Sequence, residues 1–522
     1  MSHLQKPNAG SNESDSASTA SSASIIDAEA FNRAIGGRAY EGQGEDEDHD
    51  SDNPYDNERG LAASLRGFED TKHAGSDDQS DAEAPLQRQS TALTRVMTGF
   101  FSHRLRDDRK YLVAKFVINH VLLACMIMSI FSLYWGATYK RSSYYHKLNL
   151  LAVLQDDGAL TDVLPTLIDQ VPGTWHVYNS SAFQDRFGVA ADEIDSKILD
   201  LVHRREYWFS FNAKPNSTAA LLDSLTSASA PAFNSTDYFG SIYESGRDPT
   251  NMKSSIVPLL TELQTLYQAY YTTTFLPSLL SNVSDSLSSV PAENVAAAGV
   301  MNFSQLDYRP FNDYVLLGPL QVGLIYCILL TFFQLSLFGS IHMRLGQKLK
   351  PIHMLLYRYI IAYVNYFFLS LFFCAVSAAF QVNFTLAFGK GGFMVAWMSS
   401  WLLMAAVGGA NENMITVILS FGPQYLGFWL IFWVVMNISP SFYPMALSNN
   451  FYRYGYAMPI HNGVEIFRVI FLNLDKKDLG RNYGILVAWC VLNALLFPVA
   501  MKIVIHKKKK DAQKAALASH GN

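Results

Sequence analysis

The chain has 522 residues, 49% of them hydrophobic, with 40 Lys and Arg against 45 Asp and Glu for a formal net charge of -5. That mildly acidic balance carries no expectation of a nucleic-acid partner, and the averages conceal two unlike materials. The first hundred residues are acidic and polar, whereas the last two hundred are dominated by apolar runs. All four cysteines (Cys125, Cys327, Cys374 and Cys490) fall in apolar runs, which predicts small buried hydrophobes rather than a disulfide framework.

From residue 1 to about 95 the text is Ser-, Asp- and Glu-rich and is expected to stay disordered, because it cannot bury enough apolar area to offset the entropy of ordering. It lacks the early apolar core of a signal peptide. A short phosphorylation-like match lies at Arg88-Gln89-Ser90-Thr91. Residues 93–109 form a basic amphipathic piece suited to a membrane surface. The first span is expected at 111–135, long enough for a hydrocarbon core of about 30 Å. Arg104, Arg106, Arg109 and Lys110 precede it and favour a cytoplasmic N-terminus, although Lys140, Arg141 and Lys147 follow it.

Five Asn-X-Ser/Thr sequons (Asn179, Asn216, Asn234, Asn282 and Asn302) lie within 136–314 and place that segment on the lumenal or outer side. Within it, 148–170 and 257–271 have helical apolar spacing, while 175–178 and 207–211 read as strands. Asn216-Ser217-Thr218 offers a cap for a helix through Leu225. The expectation is a mixed α+β extracytoplasmic domain.

Five more spans follow, at 315–338, 354–380, 393–407, 414–436 and 483–505. The fifth of the six is interrupted by Gly422-Pro423, as a kink or as two half-helices. Basic clusters at Arg344, Lys348 and Lys350 and at Lys507 to Lys510 then fall inside, so the parity closes with both termini cytosolic. The fold class is therefore a polytopic α-helical membrane protein of about six spans. Its parts are an acidic cytoplasmic tail (1–95), a juxtamembrane helix and first span (96–135), a glycosylated extracytoplasmic domain (136–314), a five-span membrane domain (315–505) and a basic cytoplasmic tail (506–522).

Between the last two spans, residues 437–475 are too polar and too broken by Pro440, Pro444 and Pro459 to cross a bilayer. They are expected to form a re-entrant or interfacial hairpin. Tyr443, Tyr452, Tyr454 and Tyr456 would hold it at the interface. Its terminal amphipathic helix would bury Val464, Phe467 and Phe471 and show Glu465 and Arg468 on a polar face. Arg453 and His461 read as interface anchors. Polar groups inside spans, namely Asn119, His120, Gln334 and Asn365, are candidates for function or for interhelical hydrogen bonds. Gly408 to Asn413 reads either as a tight turn in which Asn411 caps the next helix or as a site where Glu412 contacts a partner or lines a pathway. Nucleotide-phosphate, metalloprotease and serine-hydrolase motifs are absent from the sequence, as are clustered Cys/His ligands. The expectation is a protein that is not an enzyme and has no cofactor.

The phrases GGANENMITVI, SPSFYPMALSNNFYRYGYAMPIHNGVEIFRVIF and NYGILVAWCVLNALLFPV occur in this order and resemble the fungal nitrosoguanidine-resistance membrane proteins. YWFSFNAKPNSTAALLDSL and YESGRD fit the same family. That family is similar to the membrane subunits of type-2 ABC exporters and to phage-infection-protein-like proteins, which share one span, a large outer domain, five spans and a re-entrant piece before the last. The resemblance implies tolerance of toxic lipophilic compounds through transport of drugs or lipids. The alternative is a non-transporting regulator of lipid distribution or a scaffold for another pump. Implied partners are membrane lipids, a second copy in a homodimer, and a separate ATPase or pump. The plasma membrane is the expected location, with secretory-route membranes as the other option.

Overall fold

The computed structural model describes residues 100–520. The expectations for the acidic tail, including residues 88–91, fall outside that range. A long helix, α1 (His103–Thr138), comes first; its 21-residue portion Arg106–Met126 buries no side chain. Cys125 is exposed on it, contrary to the expectation of burial. Asn119 and His120 also lie on its exposed surface.

A mixed α+β domain follows, built on a sheet of five strands in the order β2-β1-β3-β4-β5. The strands are β1 (Asn149–Leu154), β2 (Thr174–Asn179), β3 (Phe209–Ala213), β4 (Phe239–Tyr243) and β5 (Ser304–Asp307). β1 runs parallel to both β2 and β3, and β4 is antiparallel to β3 and parallel to β5. Here the helical reading of 148–170 is corrected. Leu150 and Ala152 enter one core and Leu151 and Val153 the other, so β1 is apolar on both faces. A strand buried on both faces is a continuous apolar run, which spacing alone does not separate from a helix.

The helix α2 (Ile194–His203) covers one face with Ile194, Ile198 and Leu201. On the other, α3 (Ser217–Thr226) and α4 (Val257–Tyr270), the latter through Tyr267, pack around Phe211, Phe239 and Phe303. The cap of α3 comes from elsewhere than expected. Asn216 is left-handed with φ 63° and makes no side-chain cap, while Asp156 accepts from the Thr218 backbone N–H at 3.2 Å and the Ser217 hydroxyl at 3.1 Å.

Six longer helices after the α+β domain form a bundle: α5 (Tyr314–Leu337), α6 (Pro351–Ala379), α7 (Gly392–Phe421), α8 (Leu426–Ile438), α9 (Pro459–Leu472) and α10 (Leu479–His520). Four of these, with α1, are long and apolar enough to cross a membrane, and α8 is a shorter apolar helix. The central element is α7, which touches α5, α6, α8, α9 and α10. The sequence reading is corrected at two points. Gly408 to Asn413 is the interior of α7, not a turn, and Gly422-Pro423 ends that helix rather than interrupting a span. Lys507 of α10 lies over the Phe421 ring, which places the ends of α7 and α10 on one side of the bundle.

The stretch after α8 turns towards the α+β domain. Leu447 joins that domain's core, Asn251 donates to the Phe442 carbonyl at 3.3 Å, and the Tyr452 hydroxyl donates to the Leu133 carbonyl at 2.7 Å. The tyrosines therefore differ from a uniform interfacial belt: Tyr452 is buried, whereas Tyr456 is exposed. The expected surface helix is corrected too, since every residue of α9 except His461 and Glu465 is buried.

Candidate functional site

Two polar centres arise within this scaffold. The first lies in the bundle. α6 contains a single charged residue, Arg358, and α7 a single one, Glu412. The two helices bring them together: Arg358 Nε donates to Glu412 Oε1 at 2.7 Å, and Nη2 donates to the Thr416 hydroxyl at 3.2 Å. Both charges are buried. Removing two ions from water costs several kcal/mol each, which only close, hydrogen-bonded geometry offsets.

The same turn of α7 is polar on its other sides. Asn411 donates to the Ile328 carbonyl and the Thr331 hydroxyl, each at 3.1 Å, and accepts from the Trp429 indole at 3.0 Å. Asn413 donates to the Asn493 carbonyl at 3.1 Å, and Asn493 donates to the Ala406 carbonyl at 2.9 Å. Glycines permit this closeness. A Cβ at Gly408 would sit 2.6 Å from the Tyr366 ring, and one at Gly409 would sit 2.7 Å from Asn493. Asn365 Nδ2, Tyr366 Oη, Gln334 Oε1 and Asn413 Oδ1 are buried without a hydrogen-bond partner among the described residues. Glu412 and Asn365 thus lie in the bundle's polar interior, and Asn411 bridges helices instead of capping one.

The second centre joins α9 to the α+β domain. The residue after α2's last turn, Arg205, is left-handed with φ 63°, a conformation that costs a non-glycine residue about 1–2 kcal/mol. Its guanidinium pairs with Glu465, whose other oxygen accepts from Arg468 Nη1 at 2.9 Å. Burial pushes the Glu465 carboxyl up, but Arg205 and Arg468 outweigh it and hold the group below the usual carboxylate range. Burial likewise opposes the charge on Arg205, and Glu465 more than restores it. Glu244 and Asp248, from the YESGRD phrase, have carboxyls raised by burial despite the His203 contact of the one and the nearby Arg468 of the other. His461 is pushed down to about 4 by burial, with Glu465 opposing.

The rest of the junction is backbone-anchored. Arg247 stacks 3.7 Å from the Trp208 ring and donates to the Tyr207 carbonyl at 2.8 Å. Arg309 Nε donates to the carbonyl of Asn473, the left-handed residue closing α9, at 3.0 Å. Phe467 and Phe471 stack at 5.9 Å in the bundle core, and Phe471 meets Phe384 edge-on at 5.3 Å. Glu465 and Arg468 are therefore a buried clamp rather than a polar face. Arg453 is exposed and belongs to neither centre.

Sequence reasoning missed Arg358, Arg205 and Arg247. The first was legible as the lone arginine of an apolar span. The other two carried no local signal, since their partners lie far along the chain or on the backbone. The five sequon asparagines are all exposed; Asn179 and Asn234 cap short helices, accepting backbone N–H groups at 2.9 and 3.2 Å.

Helices of this length and apolarity, enclosing the buried Arg358–Glu412 ion pair, define a polytopic integral membrane protein. The chain belongs to the family described as "Protein of unknown function (DUF3533)", which matches residues 119–495. It is 43% identical over 474 residues to the "Uncharacterized endoplasmic reticulum membrane protein YJR015W" of Saccharomyces cerevisiae, covering 88% of this chain and 93% of that one. That likeness supports a fungal membrane-protein family. No solved structure matches significantly.

Proposed function

We propose that the protein moves lipophilic compounds, drugs or lipids, through an exporter-like membrane domain and thereby confers tolerance to them. The observation that carries this reading is the polar centre on α7. An ion pair is buried between α6 and α7 where apolar side chains would pack at lower cost, and four buried polar atoms of the same bundle have no hydrogen-bond partner among the described residues. The clamp on α9 supplies a route by which movement of the α+β domain reaches α7, because α9 packs against α7 and α10. In this reading both termini are cytosolic and the α+β domain is lumenal and glycosylated. The relative's name favours the endoplasmic reticulum over the plasma membrane.

The experiment is reconstitution of the purified chain alone in liposomes with a fluorescent phospholipid and a lipophilic dye. Movement that is lost on substituting Arg358 and Glu412 together supports transport. No movement in folded protein overturns autonomous transport. The second reading, a non-transporting regulator of lipid distribution or scaffold for a pump, is favoured by the close packing at Gly408 and Gly409, which leaves α7 little room to shift. In that case the same double substitution changes lipid distribution in cells only when a partner pump is present.

A further inference from the structure

An apolar groove of about 410 Å³ lies between α10 and the 3₁₀ stretch Asn450–Ala457, lined by Tyr456, Ala457, Ile485, Ala488, Trp489 and Leu492. Its size falls in the range of about 300–1,000 Å³ typical of ligand clefts. Ala488 and Ala457 leave the space that Trp489 and Tyr456 wall, and the Trp489 indole ties the walls together by donating to the Ala457 carbonyl at 2.6 Å. The neighbouring Val487, Val491 and Leu495 are exposed, so the groove opens onto the face that a spanning α10 turns to lipid.

The rim is cationic. Arg481, Ile485, Ala488 and Leu492 are spaced for one face of α10, with Arg481 one turn above the groove. At about 1.5 Å per residue, Arg481 to Leu492 spans about 16 Å, close to half of a hydrocarbon core of about 30 Å. The Arg481 guanidinium is 5.8 Å from the centre of the Tyr456 ring. Its pairing with Asp478 at 3.2 Å is exposed, a kind of contact that holds a guanidinium only weakly. His461 meets the Tyr456 ring edge-on at 5.5 Å, with its Nδ1 buried and unpartnered among the described residues.

We propose that this groove is a phospholipid site in which one acyl chain lies along Ile485, Ala488 and Leu492, with the phosphate held by Arg481. A guanidinium matches a phosphate in charge and fork geometry, and the depth of the apolar floor matches one leaflet. The site requires only that α10 crosses a bilayer. It therefore stands or falls separately from transport.

The test uses the full chain in phosphatidylcholine nanodiscs doped with phosphatidic acid bearing a diazirine on one acyl chain. Photolabel is expected on the peptides holding 456–457 and 485–492. Ala488→Trp and, independently, Ala457→Leu should abolish it, while Val491→Trp, on the lipid-facing surface outside the groove, should leave it intact. Arg481→Gln should weaken phosphatidic acid labelling about tenfold, the worth of a charged hydrogen bond. It should leave labelling by a diazirine diacylglycerol unchanged. Equal labelling of α1, α6 and α10, indifferent to both groove-filling substitutions, would mean bulk lipid only and overturn the site. Labelling by a photoactivatable sterol in place of the phospholipid would overturn its chemistry.

Discussion

Glu412 shows how one residue can set the requirements of a whole bundle. Its carboxylate and the Arg358 guanidinium are both buried, so removing either leaves the other charged and alone. Glu412→Gln is expected to destabilise the protein by about 3–5 kcal/mol, whereas Arg358→Leu with Glu412→Leu should recover most of that loss. Thermal unfolding in detergent measures both. A double variant that is stable but no longer moves dye would assign the pair to function rather than folding. At the junction, His461 faces Glu465 and Arg468 on its own helix, Arg205 from the α+β domain and Arg481 from α10. Its folded value near 4 lies below the unfolded value of about 6.5, so its contribution is complete above about 6.5 and is lost as pH falls towards 4. Glu465 is also held low, and its contribution persists until the pH drops below the unfolded value of about 4.3. Glu244 and Asp248, raised by burial, act in the opposite sense as pH falls, so the test is a difference: between pH 6.5 and 4.5 the melting temperature of the wild type should fall relative to that of His461→Gln. Parallel curves for the wild type and His461→Gln across this window would contradict the assignment.

At the scale of elements, α7 and α9 are held by contacts that admit little change. The Cβ of an alanine at Gly408 would already lie 2.6 Å from the Tyr366 ring and 2.9 Å from the Thr331 methyl group. Gly408→Leu should thus force α5 and α6 away from α7 and cost about 1–3 kcal/mol or more. At Gly427, by contrast, nothing lies within 4 Å, and Gly427→Ala should be neutral or slightly stabilising. Comparing the two variants by detergent melting isolates helix packing from helix propensity. Phe467 and Phe471, each at most 2% exposed, belong to the same core. Paired substitution to Asp would bury two charges without partners, so failure of membrane assembly is expected, seen as loss of the monodisperse peak in size-exclusion chromatography. Survival of that peak would show that α9 is not a structural wedge.

For the whole molecule, the decisive prediction concerns sidedness. The five sequons and the stretch after α8 lie with the α+β domain, while Lys507 lies beside the end of α7 across the bundle. Endoglycosidase should increase the mobility of the intact chain, and Asn216→Gln with Asn234→Gln should reduce that shift. In sealed microsomes the α+β domain should resist added protease. Its digestion there, with the lysine-rich C-terminus protected, would invert the topology.

The sequence by itself determined the membrane class, the polar segment between the first two apolar stretches and the apolar periods of α4, α5 and α6. These follow from local hydrophobicity, which the bilayer and the core read directly. It also marked Glu412, because a charge in an apolar run stands out wherever its partner lies. Only the tertiary structure decided that β1 is a strand, since burial on both faces erases the alternation that identifies one. It alone showed α7 unbroken across Gly408 to Asn413. Glycine and asparagine signal a turn in water, but here they are the residues that let Tyr366 and Asn493 approach the helix and bond across it. The Arg205–Glu465 clamp links positions 260 apart in the chain. No local pattern encodes such a pair, because its energy exists only once the domain and the bundle exclude water from both charges.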